Sequence, residues 1–275
     1  MLNARVLLNL LRICRHGGSL GRRATSATYL RIEMRRALLA RRRGVQSEKL
    51  WGQELFFPDY EAFSLLFDEI YMQGIYLFRS ASDRPNIIDC GANIGLATAF
   101  FLTQYRDATI TAFEPDAGAF HFLDRNREHN QWTGVTLHQT AVHRDVGALS
   151  FYSHAQASVV SSFRKGLSGP APSQVLEIPT VRLSSYIDRR VDLLKLDVEG
   201  SEIPVFEDLA ESGTMHLIDQ IIMEYHHHIE PDEDRLGYLL ALLERNGFGY
   251  DLRATAPLPF TARRPHNFMI YAYRK

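Results

Sequence analysis

Two cysteines in 275 residues, Cys14 and Cys90, are too few for a fold held by disulfides. One lies in a basic leader and the other inside a glycine motif, so they are not expected to pair, and a reducing, cytosol-like compartment fits best. Long apolar runs are also missing. The first segment, Met1–Gly18, is interrupted by Arg5, Arg12 and Arg15 and is too short to span a bilayer. It has no small-residue cleavage site after a long apolar core, which argues against secretion. No internal repeat is visible. Net charge is nearly absent as well, at −1, but that balance conceals two unlike parts.

Residues 1–45 hold eleven arginines and one acid, Glu33, for a charge of +10. The other 230 residues must then carry −11 to give the total of −1. The chain therefore divides into an Arg-rich leader (1–45), a helical prelude (46–85) and a main domain (86–275). A hydrophobic content of 45% places the whole among ordinary globular proteins. The leader admits three readings: a solvated, partly disordered segment, an organelle transit peptide, or an amphipathic helix on anionic lipid. A cytoplasmic protein, peripheral to the membrane surface if the third reading holds, is expected. The acidic body shows no basic stripe interleaved with aromatics, so no nucleic-acid partner is expected.

The prelude shows apolar faces built from Leu55, Phe56, Phe63, Leu66, Phe67, Ile70 and Ile75. From Asn86 onward, short apolar runs alternate with longer helical segments. Strands are predicted over Ile87–Cys90, Thr109–Phe113, Val135–Gln139, Val191–Asp197, Leu217–Glu224, Gly249–Arg253 and Phe268–Tyr273. Helices are predicted over Ile94–Gln104, Ala117–His129 and Arg235–Arg245, with a hairpin-like stretch through Leu149–Tyr152. This alternation implies a Rossmann-like α/β fold: a seven-stranded, mostly parallel sheet with helices on both faces. The last two strands are joined by a loop alone, so the final strand is expected to run antiparallel. Ser153–Pro179, rich in Ser, Gly and Pro, reads as a long functional loop.

The first strand ends in Asp89-Cys90-Gly91-Ala92-Asn93-Ile94-Gly95, where glycines permit a sharp turn and close ligand approach. Asp89 is read as a partner for the ligand's ammonium group, reached through ordered water or the turn. Glu114, in Phe113-Glu114-Pro115-Asp116, stands nineteen positions after Gly95 at the end of the second strand. An acid at that distance meets ribose hydroxyls, so an adenosine-containing ligand is expected. Asp89 would repel a pyrophosphate at the helix N-terminus, which favours zwitterionic S-adenosylmethionine (SAM) over NAD. The expected cofactor set is Asp89, Gly91, Ala92, Asn93, Gly95, Glu114, Pro115, Asp116, Ala141 and Asp197.

Val191–Gly200 carries the chemistry. Lys195, Asp197 and Glu199 share one strand parity and are expected to face one side. Charges in a doubly covered strand need a partner or a place at its carboxyl end beside the ligand; a purely structural Lys195–Asp197 ion pair is the plainer reading. In the next strand Glu224 and His226 share parity, and a histidine there titrates near neutrality. His226 and His228 alone do not make a metal site, and no metal is expected. The candidate catalytic residues are Lys195, Asp197, Glu199, Glu224 and His226.

Three stretches, Ile88–Gly95, Phe113–Asp116 and Leu194–Glu202, resemble the FkbM family of SAM-dependent methyltransferases, and the likeness runs from about Phe57 to Ala272. The K-x-D-x-E-G core of the third stretch is its specific mark, and Glu69-Ile70-Tyr71 with Tyr76-Leu77-Phe78 is similar to the family's segment before the first strand. The resemblance implies a class I methyltransferase fold and O-methylation of a sugar, glycan, lipid or secondary-metabolite hydroxyl. Where the family often has Leu-Asp ahead of the fourth strand, this chain has Leu183-Ser184. An NAD-type oxidoreductase and a non-catalytic SAM-binding module are the alternatives.

Overall fold

The computed structural model describes residues 22–39, 43–153, 174–227, 235–254 and 266–275. Helix α1 (Arg22–Leu39) comes first, followed by strands β1 (Arg43–Leu50) and β2 (Gln53–Asp59), paired antiparallel. Their two-residue turn is Trp51-Gly52, both with positive φ (45° and 88°), the geometry that matches the twist of a tight hairpin. Trp51 is held there by stacking on Tyr71, ring centres 5.1 Å apart. Asp59 then caps helix α2 (Tyr60–Phe67) by accepting a hydrogen bond from the Ala62 amide, and a π-helical turn continues over Asp68–Met72.

These elements correct the expected division of the N-terminal region. The prelude over 46–85 opens as a hairpin and becomes helical at Tyr60. Part of the leader is packed: α1 buries Tyr29 and Ile32, and Arg31 and Arg35 pair with Glu48, which is 1% exposed. Tyr60 donates to the same carboxylate at 2.5 Å. At least two of the leader's arginines therefore neutralise an internal acid. Leader residues 1–21 lie outside the described residues.

The main domain runs β3 (Asn86–Cys90), α3 (Leu96–Gln104), β4 (Thr109–Phe113), α4 (Ala117–His129) and β5 (Val135–His138). Strands β6 (Ala141–Val142), β7 (Gly147–Ser153) and β8 (Gln174–Val181) form a separate three-stranded sheet in the order β6-β8-β7. Then come β9 (Val191–Leu196), α5 (Glu202–Glu211), β10 (Ile218–His227), α6 (Leu236–Arg245), β11 (Phe248–Ala254) and β12 (His266–Arg274). The segment Ser153–Pro179, expected as a loop, is strand from Gln174 onward, while 154–173 lie outside the described residues.

The large sheet has the order β11-β12-β10-β9-β3-β4-β5, and β12 runs antiparallel to both neighbours while the other pairings are parallel. This is the seven-stranded, mostly parallel sheet with an antiparallel last strand that the sequence predicted. Strand alternation sends side chains to two cores. Ile87, Ile110 and Leu193 face the side covered by α1–α4 and the hairpin; Ile88, Leu194 and Ile221 face α5 and α6.

The hairpin is clamped to the domain by two asparagines, Asn126 on α4 and Asn130 at its C-terminal cap. Asn126 accepts from the Phe56 amide at 2.7 Å and donates to the Phe56 and Ile94 carbonyls at 3.0 and 2.8 Å. Asn130 does the same for the Glu54 backbone, at 2.8 Å each way. Both side chains thus satisfy edge groups of β2 that a neighbouring strand would otherwise take. The result seats α2 and its π-turn over the carboxyl ends of β3, β4 and β9, where the order of parallel strands reverses and ligand crevices form.

Candidate active site

The turn after β3 is built on Gly91, φ +78°; a Cβ there would sit 1.8 Å from the Asp197 carbonyl oxygen. Only a glycine lets this turn and the end of β9 pass so closely. Gly95, also with positive φ, serves packing: a Cβ would meet Leu123 at 2.7 Å, and Gly95 does not line the cleft.

Asp89 and Lys195 stand directly opposite each other in the parallel β3–β9 pair, and their charged atoms lie 3.1 Å apart. Asp89 is fully buried and also accepts from the Thr98 hydroxyl at 2.7 Å. Lys195, 2% exposed, donates to the Cys90 and Gly91 carbonyls at 3.2 and 2.5 Å. Burial alone would lower its pKa, but Asp89 and Asp197 outweigh it and hold the ammonium charged. The ion pair of Lys195 is with Asp89 instead of the Lys195–Asp197 pair weighed from the sequence, and Asp89 braces the turn from beneath without lining the cleft, so any effect of it on a ligand passes through the turn. A buried, neutralised Asp89 cannot be what repels a pyrophosphate.

At the end of β4, Glu114 accepts from the Asn93 amide at 2.7 Å and from the Asp116 amide at 2.8 Å. Burial pushes its carboxyl up to about 7, against the pull of those two amides. Asp116 caps α4 through the Ala119 amide at 2.8 Å.

The strand ends at Leu196, so parity does not place the residues after it. Asp197 accepts from the Tyr76 hydroxyl at 3.1 Å, and burial together with Asp197 keeps that hydroxyl protonated. Glu199 has φ +51°, uncommon for a residue with a Cβ, and precedes Gly200 at φ +106°. This turn, instead of a shared strand face, brings the Glu199 carboxylate to 3.3 Å from His226 Nε2. Glu202, the first residue of α5 and 1% exposed, takes His226 Nδ1 at 2.7 Å and accepts from the Gly200 amide at 3.0 Å. Burial would lower the His226 pKa, but Glu202 and Glu199 raise it well above the usual range. Glu199 is pushed up to about 8, chiefly by its partial burial, and Glu224, bonded by the Asn267 amide, to about 7 for the same reason with Asp197 adding.

An open cleft lies over these strand ends, about 880 Å³ when the solvent-open space at its mouth is included. Gly91, Ala92, Asn93, Glu114, Pro115, Asp116, Ala141, Lys195, Asp197 and Glu199 line it; Asp89, Gly95, Glu224 and His226 do not. Leu66, Ile70 and Tyr76, from α2 and the segment after it, close one side. Tyr76 and Glu202 were not among the candidates, although both stand in the motifs that carried the resemblance. Glu202 could have been found as the i+3 partner of an active-site acid, but a lone glutamate opening a helix reads first as a helix start. Position 184, where the family often has an acid, is bonded to one instead: the Ser184 amide and hydroxyl both donate to buried Asp208 at 2.8 Å.

Known proteins resemble this chain. The family model of the methyltransferase FkbM domain matches residues 89–250. "Methyltransferase 1" of Beauveria bassiana (strain ARSEF 2860) is 31% identical over 176 residues, 57% of this chain and 70% of that relative. The 31-O-demethyl-FK506 methyltransferase FkbM of Streptomyces tacrolimicus is 31% identical over 216 residues, 66% of this chain and 80% of the relative. Among solved structures, a methyltransferase FkbM from Methylobacillus flagellatus KT is 18% identical with a TM-score of 0.47, covering 74% of this chain and 46% of its own.

Proposed function

Since the chain belongs to the FkbM family of methyltransferases, we propose that it uses SAM to methylate a hydroxyl oxygen of a small molecule, glycan or lipid. The observation that carries this reading is the polarity of one cleft. Glu114 marks an end suited to ribose, while Asp197 and Glu199 line the other. The donor set fits SAM: Glu114 keeps lone pairs for two vicinal hydroxyls beyond its two amide contacts, and Pro115 and Ala141 offer apolar flanks for a base. The carboxylates Asp197 and Glu199 suit a cationic ligand and would repel a pyrophosphate, so they disfavour NAD where Asp89 cannot.

SAM, when bound, supplies a methyl group on a sulfonium, whose carbon–sulfur bond breaks as the acceptor oxygen bonds the methyl carbon. The chain's part is mainly to hold the partners in line, which is where most of the acceleration arises for an already activated donor. Lys195 fixes the turn that carries Gly91–Asn93. Asp197, oriented by Tyr76, would face the cationic end of the ligand. Glu199 orients the acceptor hydroxyl and takes its proton, with His226 and Glu202 behind it as positioning residues. His226 is not itself the first acceptor of that proton, because carboxylates occupy both of its ring nitrogens. The name of the Streptomyces relative puts its methyl group on an oxygen, which supports an oxygen acceptor here.

The test is a panel of hydroxyl-bearing acceptors incubated with methyl-labelled SAM, together with calorimetric titration of SAM alone. Stoichiometric SAM binding and an ether-linked label are expected. Absence of SAM binding, or label appearing only on nitrogen or carbon, would overturn the reading.

A further inference from the structure

Helix α1 is apolar on two sides. Tyr29 and Ile32, together with Thr25, are buried against the domain at the spacing of one helical face. On the opposite face Leu30, Met34 and Leu38 stand one turn apart, exposed by 41%, 67% and 77%. A surface helix ordinarily turns charged or polar side chains outward, so an aliphatic side chain at each of these turns is the exception. Single exposed apolar residues need no explanation, whereas a contiguous row marks a surface that something covers. Among the described residues, six of the eleven large apolar side chains left exposed lie between Leu30 and Leu77, in the layer that precedes β3.

The charge around the row says what covers it. Between positions 22 and 43 the chain has eight arginines and one acid, Glu33, with Arg22-Arg23 opening α1 and Arg41-Arg42-Arg43 following it. Arg36 pairs with Glu33, and Arg31 and Arg35 share Glu48, so these two acids offset only part of that charge. A second copy laid on the same row would bring the same arginines against these. A nucleic acid would meet the arginines but gives leucine and methionine nothing apolar to enter. An anionic bilayer suits both: its headgroups attract the arginines, and its acyl boundary takes the row. Arginine's long stem lets the charge stay among the phosphates while the apolar face sinks below them. No described helix is long and apolar enough to cross a membrane, so α1 would lie along the surface instead of spanning it.

We propose that the outer face of α1, with Leu30, Met34 and Leu38 as its apolar row, docks this protein on an anionic membrane surface. The helix is already held on the domain by Tyr29, Ile32 and the pairs with Glu48, so docking needs no refolding of α1. The contact belongs to one face of one packed helix, and it has an apolar part besides the charge of the leader. It does not rest on the methyltransferase reading of the cleft.

The experiment is co-sedimentation of the full chain, without SAM, with two kinds of vesicle: equal parts phosphatidylcholine and phosphatidylserine, and phosphatidylcholine alone. Saturable binding to the first and at least about tenfold weaker binding to the second are expected. Met34→Gln combined with Leu38→Gln leaves the charge untouched, keeps good helix formers in α1 and removes most of the row. Both side chains are exposed, so the double variant keeps its fold, checked by an unchanged thermal midpoint. It should bind the anionic vesicles about tenfold more weakly than the parent, or weaker still. No binding by the parent, equal binding to both kinds of vesicle, or equal binding by parent and double variant overturns the proposal. So does a parent that ultracentrifugation shows to be a dimer in vesicle-free solution and a double variant that is a monomer, since the row then belongs to a second copy. SAM titration is a separate measurement, so failure on vesicles leaves the methyltransferase reading standing, and the reverse.

Discussion

Replacing Lys195 by methionine keeps the length of the side chain and removes its charge. Asp89 is fully buried, so the change leaves a carboxylate with the Thr98 hydroxyl as its remaining partner. Two turn carbonyls also lose their donor. Breaking one side of a buried pair costs about 3–5 kcal/mol. At roughly 2 °C per kcal/mol for a chain of this size, the melting midpoint should fall by about 6–10 °C. Asp89→Asn in the same background removes the stranded charge and keeps an acceptor for Thr98. The double variant should therefore regain at least half of the loss. Scanning fluorimetry on the single and double variants, with SAM affinity measured at a temperature where each is folded, separates bracing from chemistry. A midpoint for Lys195→Met within about 2 °C of the parent would refute the argument. So would a double variant whose loss equals the sum of the two single losses, because that would mean the two charges do not see each other.

Single contacts elsewhere have effects of their own. Glu114 has a folded pKa of about 7, raised from an ordinary value near 4.5, so its stabilising contribution is complete below the ordinary value and lost as pH rises through 7. The ligand-free protein should lose about 3 kcal/mol between pH 4 and 8 from this group, and Glu114→Gln should flatten that part of the profile in urea titrations. Gly91→Ala should abolish SAM binding, since its Cβ would overlap the Asp197 carbonyl; Gly95→Ala, which meets Leu123 and Trp132, should lower stability and spare SAM affinity in the folded fraction. Isothermal calorimetry alongside unfolding curves distinguishes the two. Arg35→Ala should destabilise by about 1–3 kcal/mol through exposed-to-buried pairing with Glu48, and a loss under about 0.3 kcal/mol would mean α1 is not docked. The amphipathic-helix reading of the leader predicts that vesicles of anionic lipid sediment the full chain at low salt and release it at high salt, and no sedimentation at low salt would remove that reading.

Much of the main domain was legible because its signals are local. Ala117–His129 was read to the residue, since Asp116 caps the helix at one end and the apolar spacing holds throughout. The strand ends came out within a few residues for the same reason. The hairpin of β1 and β2 was not legible. Its turn is Trp51-Gly52, and tryptophan at positive φ has no local cause; stacking on Tyr71, twenty positions later, supplies it. Its outer edge is satisfied by Asn126 and Asn130, some 70 residues away, so neither strand announces itself by alternation. Leu55, Phe56 and Phe63 then read as one helical face.

The site shows the same division more sharply. Parity along a strand was a valid guide as far as Leu196, and it rightly set Lys195 toward the turn. It could not choose between Asp89 and Asp197 as the lysine's partner, because that depends on the β3–β9 register, which places Asp89 opposite Lys195. Past Leu196, parity put Glu199 beside Asp197 for a reason that does not hold. The two are neighbours because Glu199 and Gly200 both take positive φ and fold the chain back toward β10. A glutamate held in that conformation costs about 1–3 kcal/mol and persists only where surrounding contacts demand it. Here they are His226 in front and Glu202 behind, joined through one ring. That Glu199-Gly200 turn, and not strand alternation, is what brings the second acid of the K-x-D-x-E-G stretch to His226. Relaxing it should show on the ring: Gly200→Ala, forced toward negative φ, should part Glu199 from His226 and shift the His226 imidazole resonances in NMR. An unchanged His226 spectrum in that variant would mean the turn is a packing detail and the carboxylate finds the histidine without it.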